Sequence, residues 1–280
     1  LKEEFDTFLN IILSKDFIIT DKLCSEEEAL AFQSRIIELF NKYIRKDGYQ
    51  IYDILGKFFL KKIDLNMDRI GEGGFAIVYH NKLTNLVHKK LKDELIRDKA
   101  MVSRFKREYE ITMQLQDLEN IIKVYDYNSI TNEYIMEFGE ENLYEYINKS
   151  NITQEDKIEI VLIILRTMSE VHKRQIIHRD LSPTNMLFVN GKLKITDFGL
   201  GKNLEMFHSH KTIYTNMFGQ YQYCDPEQYM SLKEGDMQSD VYSLGRIINF
   251  IFTGSPLDSN HYFKYICEKA VSADRIYRFS

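Results

Sequence analysis

Two carboxylates and one side-chain amide are spaced so that a single hairpin would bring them together. Asp180 and Asn185 precede, and Asp197 follows, a pair of short strand-like runs joined by Asn190-Gly191. Asn-Gly is the strongest two-residue hairpin signal, because both residues tolerate the positive φ that a type I′ turn requires. The loops at the open end of such a hairpin lie side by side. Their oxygen atoms suit a hard cation such as Mg²⁺.

The stretch from His178 to Gly199 reads HRDLSPTNMLFVNGKLKITDFG. The motif H-R-D-L-x-x-x-N, followed by D-F-G, is the catalytic signature of protein kinases. The tripeptide HRD alone says little, whereas the two motifs at hairpin spacing are specific. The chain therefore resembles the protein kinase family, and the resemblance extends over about residues 64–280.

This resemblance implies an α+β, bilobal protein kinase-like fold with a small β-rich N-lobe, a larger helical C-lobe and a helical N-terminal extension. The N-lobe would cover about residues 64–138 and the C-lobe about residues 139–280. In residues 1–63, a capping box at Ser25 and helical spacing of apolar residues predict one helix, and a second is predicted over Ile51 to Lys62. The extension is expected to pack on the neighbouring lobe. The alternative that stays open is a regulatory segment that binds a partner.

The resemblance also implies a site for ATP in the N-lobe. IGEGGFAIVY, which begins at Ile70, matches the family's G-x-G-x-x-G-x-V loop except that Ala76 replaces the third glycine. Glycines let the backbone approach phosphates where a Cβ would clash. The implied nucleotide-binding residues are Gly71, Glu72, Gly73, Gly74, Phe75, Val78, Val87, Lys89, Met136, Glu137, Phe138 and Leu187.

Two choices between neighbouring residues arise in this region. In the strand LVHKKL, Lys89 fits the family's phosphate-binding lysine better than Lys90 does. In the following helix, Glu108 shares a face with apolar residues and is preferred to Glu110 as the partner of that lysine. The default alternative for each of these residues is an exposed, solvated side chain.

The implied activity is transfer of the ATP γ-phosphate to a protein hydroxyl, with Lys89, Glu108, Asp180 and Asn185 as catalytic residues. Asn185 and Asp197 would bind Mg²⁺. Serine or threonine specificity is favoured, because Thr184 stands where tyrosine kinases have an arginine. Autophosphorylation is expected, and residues 200–224 resemble an activation loop whose phosphorylatable residues are Ser209, Thr212, Tyr214 and Thr215.

Three departures from the family pattern keep other functions open. Ser182 replaces a lysine that contacts the γ-phosphate in serine/threonine kinases, Ala76 replaces a glycine, and Gln220 replaces a threonine. Lys202 is a candidate for a compensating cation. A nucleotide-binding pseudokinase or scaffold is therefore the second hypothesis, and a small-molecule kinase of the same fold is the third.

The C-lobe sequence makes three structural predictions. Thr153 and Asp156 cap a long helix. Asp240 is implied to hold the backbone of the HRD loop, and Arg278 is predicted to form a buried ion pair with Glu227. The predicted buried stripe of the long helix comprises Ile158, Val161, Leu162, Leu165, Met168 and Val171.

Composition bounds the remaining function classes. The 280 residues carry a formal net charge of −5, which gives no reason to expect nucleic acid or an anionic membrane as a partner. The longest apolar run is too short to span a bilayer. Three scattered cysteines form no metal or disulfide pattern and fit a reducing compartment. The expected partner is a protein substrate, and the expected location is cytoplasmic.

Overall fold

The computed structural model describes residues 2–13, 26–44, 48–54, 57–62, 66–149, 152–198, 221–230 and 235–279. The chain forms two compact units. The first comprises Leu1–Asp68 and Asn81–Leu83, and the second comprises Arg69–His80 and Thr84–Ser280.

The first unit pairs two helices with a β-hairpin. Its core is formed by buried Leu9, Leu13, Ile51 and Phe58. The side chain of Asn10 accepts a hydrogen bond from the backbone N–H of Phe58 at 2.8 Å and donates to its carbonyl oxygen at 2.7 Å, which attaches the first helix to the second strand. The elements are α1 (Lys2–Ile12), α2 (Glu26–Ile44), β1 (Tyr49–Ile54) and β2 (Lys57–Lys62).

The hairpin corrects one prediction about this unit. Ile51 to Lys62 was expected to be helical, but β1 and β2 pair antiparallel, with Ile51 opposite Leu60. β-branched and aromatic residues favour strands, and a short apolar run does not distinguish a helix from a strand by periodicity. The predicted helix that follows Ser25 is present as α2, and Ser25 itself lies outside the described residues.

The second unit begins with a five-stranded sheet in the order β3-β4-β5-β7-β6 and one long helix, α3. Asp98 caps α3 by accepting hydrogen bonds from the backbone N–H groups of Ala100 and Met101. Phe105 of α3 is buried in one cluster with side chains of the sheet, so the helix is fixed against it. The bounds are β3 (Met67–Glu72), β4 (Ala76–Asn81), β5 (Leu86–Leu91), α3 (Lys99–Gln114), β6 (Val124–Asn128) and β7 (Glu133–Glu137).

The rest of the second unit is mainly helical and contains the three-stranded sheet β10-β9-β8. Together with the five-stranded sheet, it gives the predicted α+β fold of a small β-rich and a larger helical part. Its elements are β8 (Glu141–Asn142), α4 (Leu143–Lys149), α5 (Gln154–Lys173), β9 (Met186–Val189), β10 (Lys192–Ile195), α6 (Pro226–Met230), α7 (Met237–Thr253) and α8 (Lys264–Ala270). Among the helices of the described residues, none is long and apolar enough to cross a membrane.

Helix α5 begins as predicted but buries a different stripe. The hydroxyl of Thr153 accepts a hydrogen bond from the backbone N–H of Asp156 at 3.1 Å, which confirms the cap. Val161, Met168 and Val171 are buried as expected, whereas three other residues of the predicted stripe stay 38–42% exposed. Those three are Ile158, Leu162 and Leu165. The buried face instead includes Ile160, Ile164 and Thr167.

The packing of α8 predicts a large difference between two cysteine thiols. Cys267 is fully buried, and burial raises the pKa of its thiol to about 11, whereas Cys224 is partly exposed. The thiolate is the reactive form, and with this pKa roughly one thousandth of the Cys267 thiol is ionised at pH 8, so the residue reacts slowly. We expect iodoacetamide to label Cys224 well before Cys267, as measured by peptide mass spectrometry. Equal labelling rates would show that α8 does not protect Cys267.

Candidate functional site

The predicted hairpin is present and sets the geometry of the site. β9 and β10 pair antiparallel, with Val189 opposite Lys192, and the turn residues Asn190 and Gly191 have φ values of 50° and 76°. These positive φ values are the reason why Asn-Gly suits this turn. At the open end, the backbone N–H of Thr196 donates to the carbonyl oxygen of Asn185 at 3.0 Å. The loops before and after the hairpin are therefore joined, as the sequence predicted.

Within the first loop, Asn185 holds Asp180. Its side-chain nitrogen donates to the carbonyl oxygen of Asp180 at 2.8 Å and lies 3.3 Å from the carboxylate oxygen Oδ2. This orientation leaves the amide oxygen of Asn185 as the group that can bind a cation. Asp180 itself is partly exposed.

Buried Asp240 fixes the backbone of the same loop. One carboxylate oxygen accepts a hydrogen bond from the N–H of His178 and the other from the N–H of Arg179, both at 2.8 Å. Nε2 of His172 lies 2.8 Å from the first of these oxygens. These contacts confirm the predicted role of Asp240. They also stabilise Arg179 at a φ of 70°, in a left-handed conformation that non-glycine residues rarely adopt.

His178 connects the two loops, a role that the sequence reasoning did not assign. Its Nε2 donates to the carbonyl oxygen of Thr196 at 2.9 Å, and its Nδ1 accepts from the backbone N–H of Asp180 at 3.3 Å. The buried ring also packs on Phe198, with 4.6 Å between ring centroids. Asp197 lies in the sequence between Thr196 and Phe198, which His178 contacts, and has a φ of 66°. Such unusual backbone conformations are concentrated at functional sites.

Lys89 lies between two carboxylates. Its ammonium nitrogen is 2.6 Å from Oε1 of Glu108 and 2.7 Å from Oδ1 of Asp197. The competing residues point elsewhere: Lys90 contacts exposed Asp93 at 2.9 Å, and Glu110 is an exposed partner of Lys106. The structure thus brings together the lysine and the glutamate that the resemblance favoured.

The electrostatics of this cluster follow from burial and charge. Burial alone would lower the pKa of Lys89. The negative charges of Asp197 and Glu108 have a larger effect and raise the pKa of the lysine well above its usual value. Burial alone would raise the pKa of Asp197. The charge and hydrogen bond of Lys89 more than offset this effect, so the pKa of Asp197 is lowered. Burial raises the pKa of Glu108. With all three groups ionised, the cluster has one excess negative charge, which favours a cation beside Asp197.

Asn185 and Asp197 fit a magnesium site in the chemistry of their donors. Mg²⁺ is commonly held by one or two carboxylates together with phosphate oxygens and water molecules. A carboxylate and an amide oxygen would supply the protein's share of such a set. In the described part of the chain, no group of three or more His, Cys, Asp or Glu side chains suits a metal ion.

The glycine-rich segment forms the turn between β3 and β4. Gly71 and Glu72 end β3, and the N–H of Gly73 donates to the carbonyl oxygen of Ala76 at 2.9 Å. Gly74 is exposed, and a Cβ at this position would meet no atom within 4 Å. The methyl group of Ala76 is buried in the core of the sheet, so this residue packs inward at the position of the family's third glycine.

Contacts to Lys92, which directly follows β5, and to α3 hold this turn in place. The ammonium of Lys92 lies 2.6 Å from a carboxylate oxygen of Glu72, and the backbone N–H of Lys92 donates to the carbonyl oxygen of Phe75 at 2.9 Å. The guanidinium of Arg104 lies over the ring of Phe75, 5.6 Å from its centroid. The turn is therefore attached to the strand that carries Lys89 and to the helix that carries Glu108.

Apolar residues of both sheets form one cluster beside the glycine-rich turn. The predicted nucleotide-binding residues in it are Phe75, Val78, Val87, Met136, Phe138 and Leu187. At Gly139 a Cβ atom would lie only 2.7 Å from the Cβ of Leu187, so a side chain could not be accommodated without a shift.

Glu137 is held by partners that the sequence did not reveal. Its carboxylate accepts two hydrogen bonds from the buried ammonium of Lys194, at 2.6 and 2.9 Å. It also accepts one from the backbone N–H of Lys123 at 2.8 Å. The residue after Met136 is thus fixed to β10, the strand that leads to Asp197.

The departures from the family pattern have different structural outcomes. Ser182 is buried, with its hydroxyl 2.9 Å from the hydroxyl of Thr184, so no long cationic side chain extends from this position. The predictions for Lys202, Ser209, Thr212, Tyr214, Thr215 and Gln220 lie outside the described residues.

The predicted ion pair between Arg278 and Glu227 is wrong. Arg278 donates to both carboxylate oxygens of buried Asp225, at 2.8 and 3.1 Å. Glu227 is half-exposed and lies 3.4 Å from Arg275, which also contacts Asp225 at 2.9 Å. The side chain that follows Glu227, Gln228, donates to the carbonyl oxygen of Arg179 at 3.0 Å and so reaches the loop of Asp180.

Comparisons with known proteins agree with this geometry. A family model described as the protein kinase domain matches residues 65–278. The chain is 33% identical over 217 residues to the probable serine/threonine-protein kinase PknB of Lactococcus lactis, an alignment that covers 74% of this chain and 34% of the relative. It is 29% identical over 197 residues to the serine/threonine-protein kinase MPS1 of Encephalitozoon cuniculi, covering 68% of this chain and 33% of the relative. The chain thus spans about a third of the length of these relatives. Because the family model covers well over half of its residues, the chain belongs to the protein kinase family.

Proposed function

We propose that the protein transfers the γ-phosphoryl group of ATP to serine or threonine hydroxyls of protein substrates. The observation that carries this proposal is the position of Lys89, 2.6 Å from Glu108 and 2.7 Å from Asp197. Phosphoryl transfer by kinases requires such a lysine-glutamate pair together with a metal-binding aspartate. The names of the relatives, which are serine/threonine kinases, support the choice of hydroxyl.

Lys89 would anchor the α- and β-phosphates, and Glu108 would keep its ammonium in place. Both side chains are buried and paired, so little reorganisation is needed when a nucleotide binds. Preformed charges in a site that excludes water stabilise a developing transition state better than mobile ones. The glycine-rich turn at 71–75 would cover the phosphates with backbone N–H groups.

Asp180 would orient the substrate hydroxyl and accept its proton. Its loop is fixed by Asp240 and its carboxylate by Asn185, so the base is held in one position. Positioning of this kind is the main contribution that a protein makes to phosphoryl transfer. Asn185 and Asp197 would hold Mg²⁺. The bound ion would neutralise charge on the phosphate oxygens.

Ser182 favours one alternative function. Because its short side chain is buried, this position supplies no cation to the γ-phosphate. A protein that binds nucleotide as a scaffold, without transfer, would tolerate this loss. A kinase that transfers phosphate slowly would tolerate it as well, so the two hypotheses differ in whether any phosphate is transferred.

The test is incubation of the purified protein with labelled ATP and Mg²⁺, followed by mass-spectrometric mapping of the modified residues. We expect phosphoserine or phosphothreonine on the wild type and none on Asp180→Asn, which excludes a contaminating kinase. Phosphotyrosine alone would contradict the proposed specificity. Nucleotide binding without any transfer to this chain or to a general protein substrate would favour the scaffold. A metabolite phosphorylated faster than any protein would favour a small-molecule kinase.

A further inference from the structure

Tyr134 makes a buried contact with the lysine-glutamate pair. Its side chain is 2% exposed, and its hydroxyl donates a hydrogen bond of 2.5 Å to Oε1 of Glu108. Lys89 donates to the same oxygen at 2.6 Å. Two donors from the sheet therefore converge on one carboxylate oxygen of α3.

The strand register explains why these two donors meet. β5 and β7 pair antiparallel, and Lys89 lies directly opposite Tyr134. Residues opposite each other in an antiparallel pair project their side chains from the same face of the sheet. Tyr134 and Lys89 thus approach Glu108 from adjacent strands, and the lysine nitrogen lies 5.9 Å from the centre of the tyrosine ring.

Glu108 depends on these contacts for its orientation. The carboxylate is fully buried, and its second oxygen, Oε2, has no hydrogen-bond partner among the described residues. Within the described part of the chain, the carboxylate is fixed through Oε1 alone. If the tyrosine hydroxyl were absent, Lys89 alone would hold the Glu108 carboxylate. Lys89 is also bound to Asp197, so Glu108 would then share its remaining partner.

The ring of Tyr134 is held rigidly enough to place the hydroxyl. It packs against Phe105 and Tyr109 of α3, with centroid distances of 5.4 and 5.8 Å. Aromatic pairs in this distance range contribute beyond simple burial. The same residue therefore attaches α3 to the sheet through its ring and orients Glu108 through its hydroxyl.

We propose that Tyr134 is a positioning residue that acts through Glu108 to hold Lys89 where nucleotide phosphates bind. This inference rests on the proposed function, because it assumes that Lys89 meets the phosphates of a nucleotide. Its distinctive consequence concerns ligands that differ only in phosphate. Loss of the hydroxyl weakens the binding of a nucleotide diphosphate and leaves the binding of its nucleoside unchanged.

The experiment is isothermal titration calorimetry of Tyr134→Phe with Mg²⁺-ADP and with adenosine. The substitution keeps the ring and removes the hydroxyl. We expect ADP affinity to fall about tenfold, which corresponds to one hydrogen bond to a charged group, and adenosine affinity to stay within about twofold. Equal ADP affinities in the two proteins would overturn the proposal. An equal loss for both ligands would also overturn it, because that result indicates a purely structural role.

Tyr127→Phe is the matched control. Tyr127 belongs to the same aromatic cluster, 5.4 Å from Tyr109, but its hydroxyl donates to Asn132 at 3.2 Å and does not reach Glu108. We expect this variant to bind ADP as the wild type does. An equal fall in ADP affinity for Tyr127→Phe would overturn the assignment to the Tyr134 hydroxyl.

A double-mutant cycle tests whether Tyr134 acts through Glu108. In a Glu108→Ala background, which removes the oxygen that accepts from the Tyr134 hydroxyl, adding Tyr134→Phe should change ADP affinity by less than about twofold. A full tenfold additional loss would overturn the proposed route through the glutamate. Binding of ADP and adenosine by the wild type distinguishes failure of the Tyr134 role from failure of the proposed function. If the wild type binds neither ADP nor adenosine, the proposed function is rejected together with this role, whereas tight ADP binding that Tyr134→Phe retains rejects the role alone.

Discussion

Exchanging Asp180 for asparagine is expected to lower kcat by about 100- to 10,000-fold and to leave the affinity for Mg²⁺-ADP within about twofold. A positioned general base contributes a factor of this size, and an amide at neutral pH cannot take up the proton of the attacking hydroxyl. The substitution preserves the shape of the side chain. The amide oxygen of the variant can still accept the hydrogen bond from the side-chain nitrogen of Asn185, which in the wild type lies 3.3 Å from Oδ2 of Asp180.

The separation of kcat from ADP affinity is the informative part of this prediction. In the proposed mechanism Lys89, held by Glu108, would bind the phosphates without contact to Asp180, and Asp240 holds the Asp180 loop through its backbone. Steady-state kinetics with labelled ATP and calorimetry with ADP would give the two quantities. Asp126→Asn, at an exposed position of β6, is the matched control and should change neither. A kcat for Asp180→Asn close to that of the wild type would exclude Asp180 as the base.

Local signals predicted the part of the site that is local in sequence. The hairpin between the two loops follows from Asn190-Gly191, since both residues adopt the positive φ that the turn requires. The cap of α5 at Thr153 is equally local. Such features depend on interactions between residues a few positions apart, and a sequence displays these directly.

Features that depend on packing were predicted less well. The apolar pattern predicts a helix over Ile51 to Lys62, where the structure has the β1–β2 hairpin, because apolar periodicity in a short segment does not distinguish a helix from a strand. In α5, helical spacing gave the right residue types but shifted the buried face, leaving Leu162 and Leu165 partly exposed. Which side of a helix is buried depends on the elements that pack against it, and the sequence of the helix alone does not specify those elements.

Contacts between distant residues were the hardest to foresee. Tyr134 reaches Glu108 across 26 positions, and Lys194 reaches Glu137 across 57. No motif marks Tyr134, and its role appears only when the register of β5 and β7 sets it opposite Lys89. A tyrosine two residues before the predicted Met136 was the available signal, since alternation in a strand directs both side chains to one face.

The pairing of Arg278 with Asp225 leads to the prediction with the largest effect on stability. Both side chains are fully buried, and the arginine donates to both carboxylate oxygens. Arg275 and the hydroxyl of Ser239 also contact Asp225, at 2.9 and 3.2 Å. The carboxylate thus joins the segment before α6 to the start of α7 and to residues after α8.

Asp225→Asn is expected to lower the free energy of unfolding of the second unit by about 3–5 kcal/mol. Removing one member of a buried ion pair leaves the other charge without compensation, and this costs more than the pair gained by forming. Glu227→Gln is the matched control two residues away. Its side chain is 50% exposed and 3.4 Å from its partner, so the expected change is below about 1 kcal/mol. Urea denaturation followed by circular dichroism would measure both.

The pH dependence of this difference identifies the ionised carboxylate as its source. Burial would raise the pKa of Asp225, but Arg278 and Arg275 outweigh it and lower the pKa below the usual 3.8. Because the folded-state pKa lies below the unfolded-state value, the stabilisation is fully present above about pH 5 and is lost as the pH falls through the lowered pKa. The gap in stability between wild type and Asp225→Asn should therefore narrow on acidification. A gap that stays constant down to pH 3 would show that the ionised carboxylate of Asp225 is not its source. A larger loss of stability for Glu227→Gln than for Asp225→Asn would contradict the prediction that the buried ion pair of Asp225 is the more important of the two.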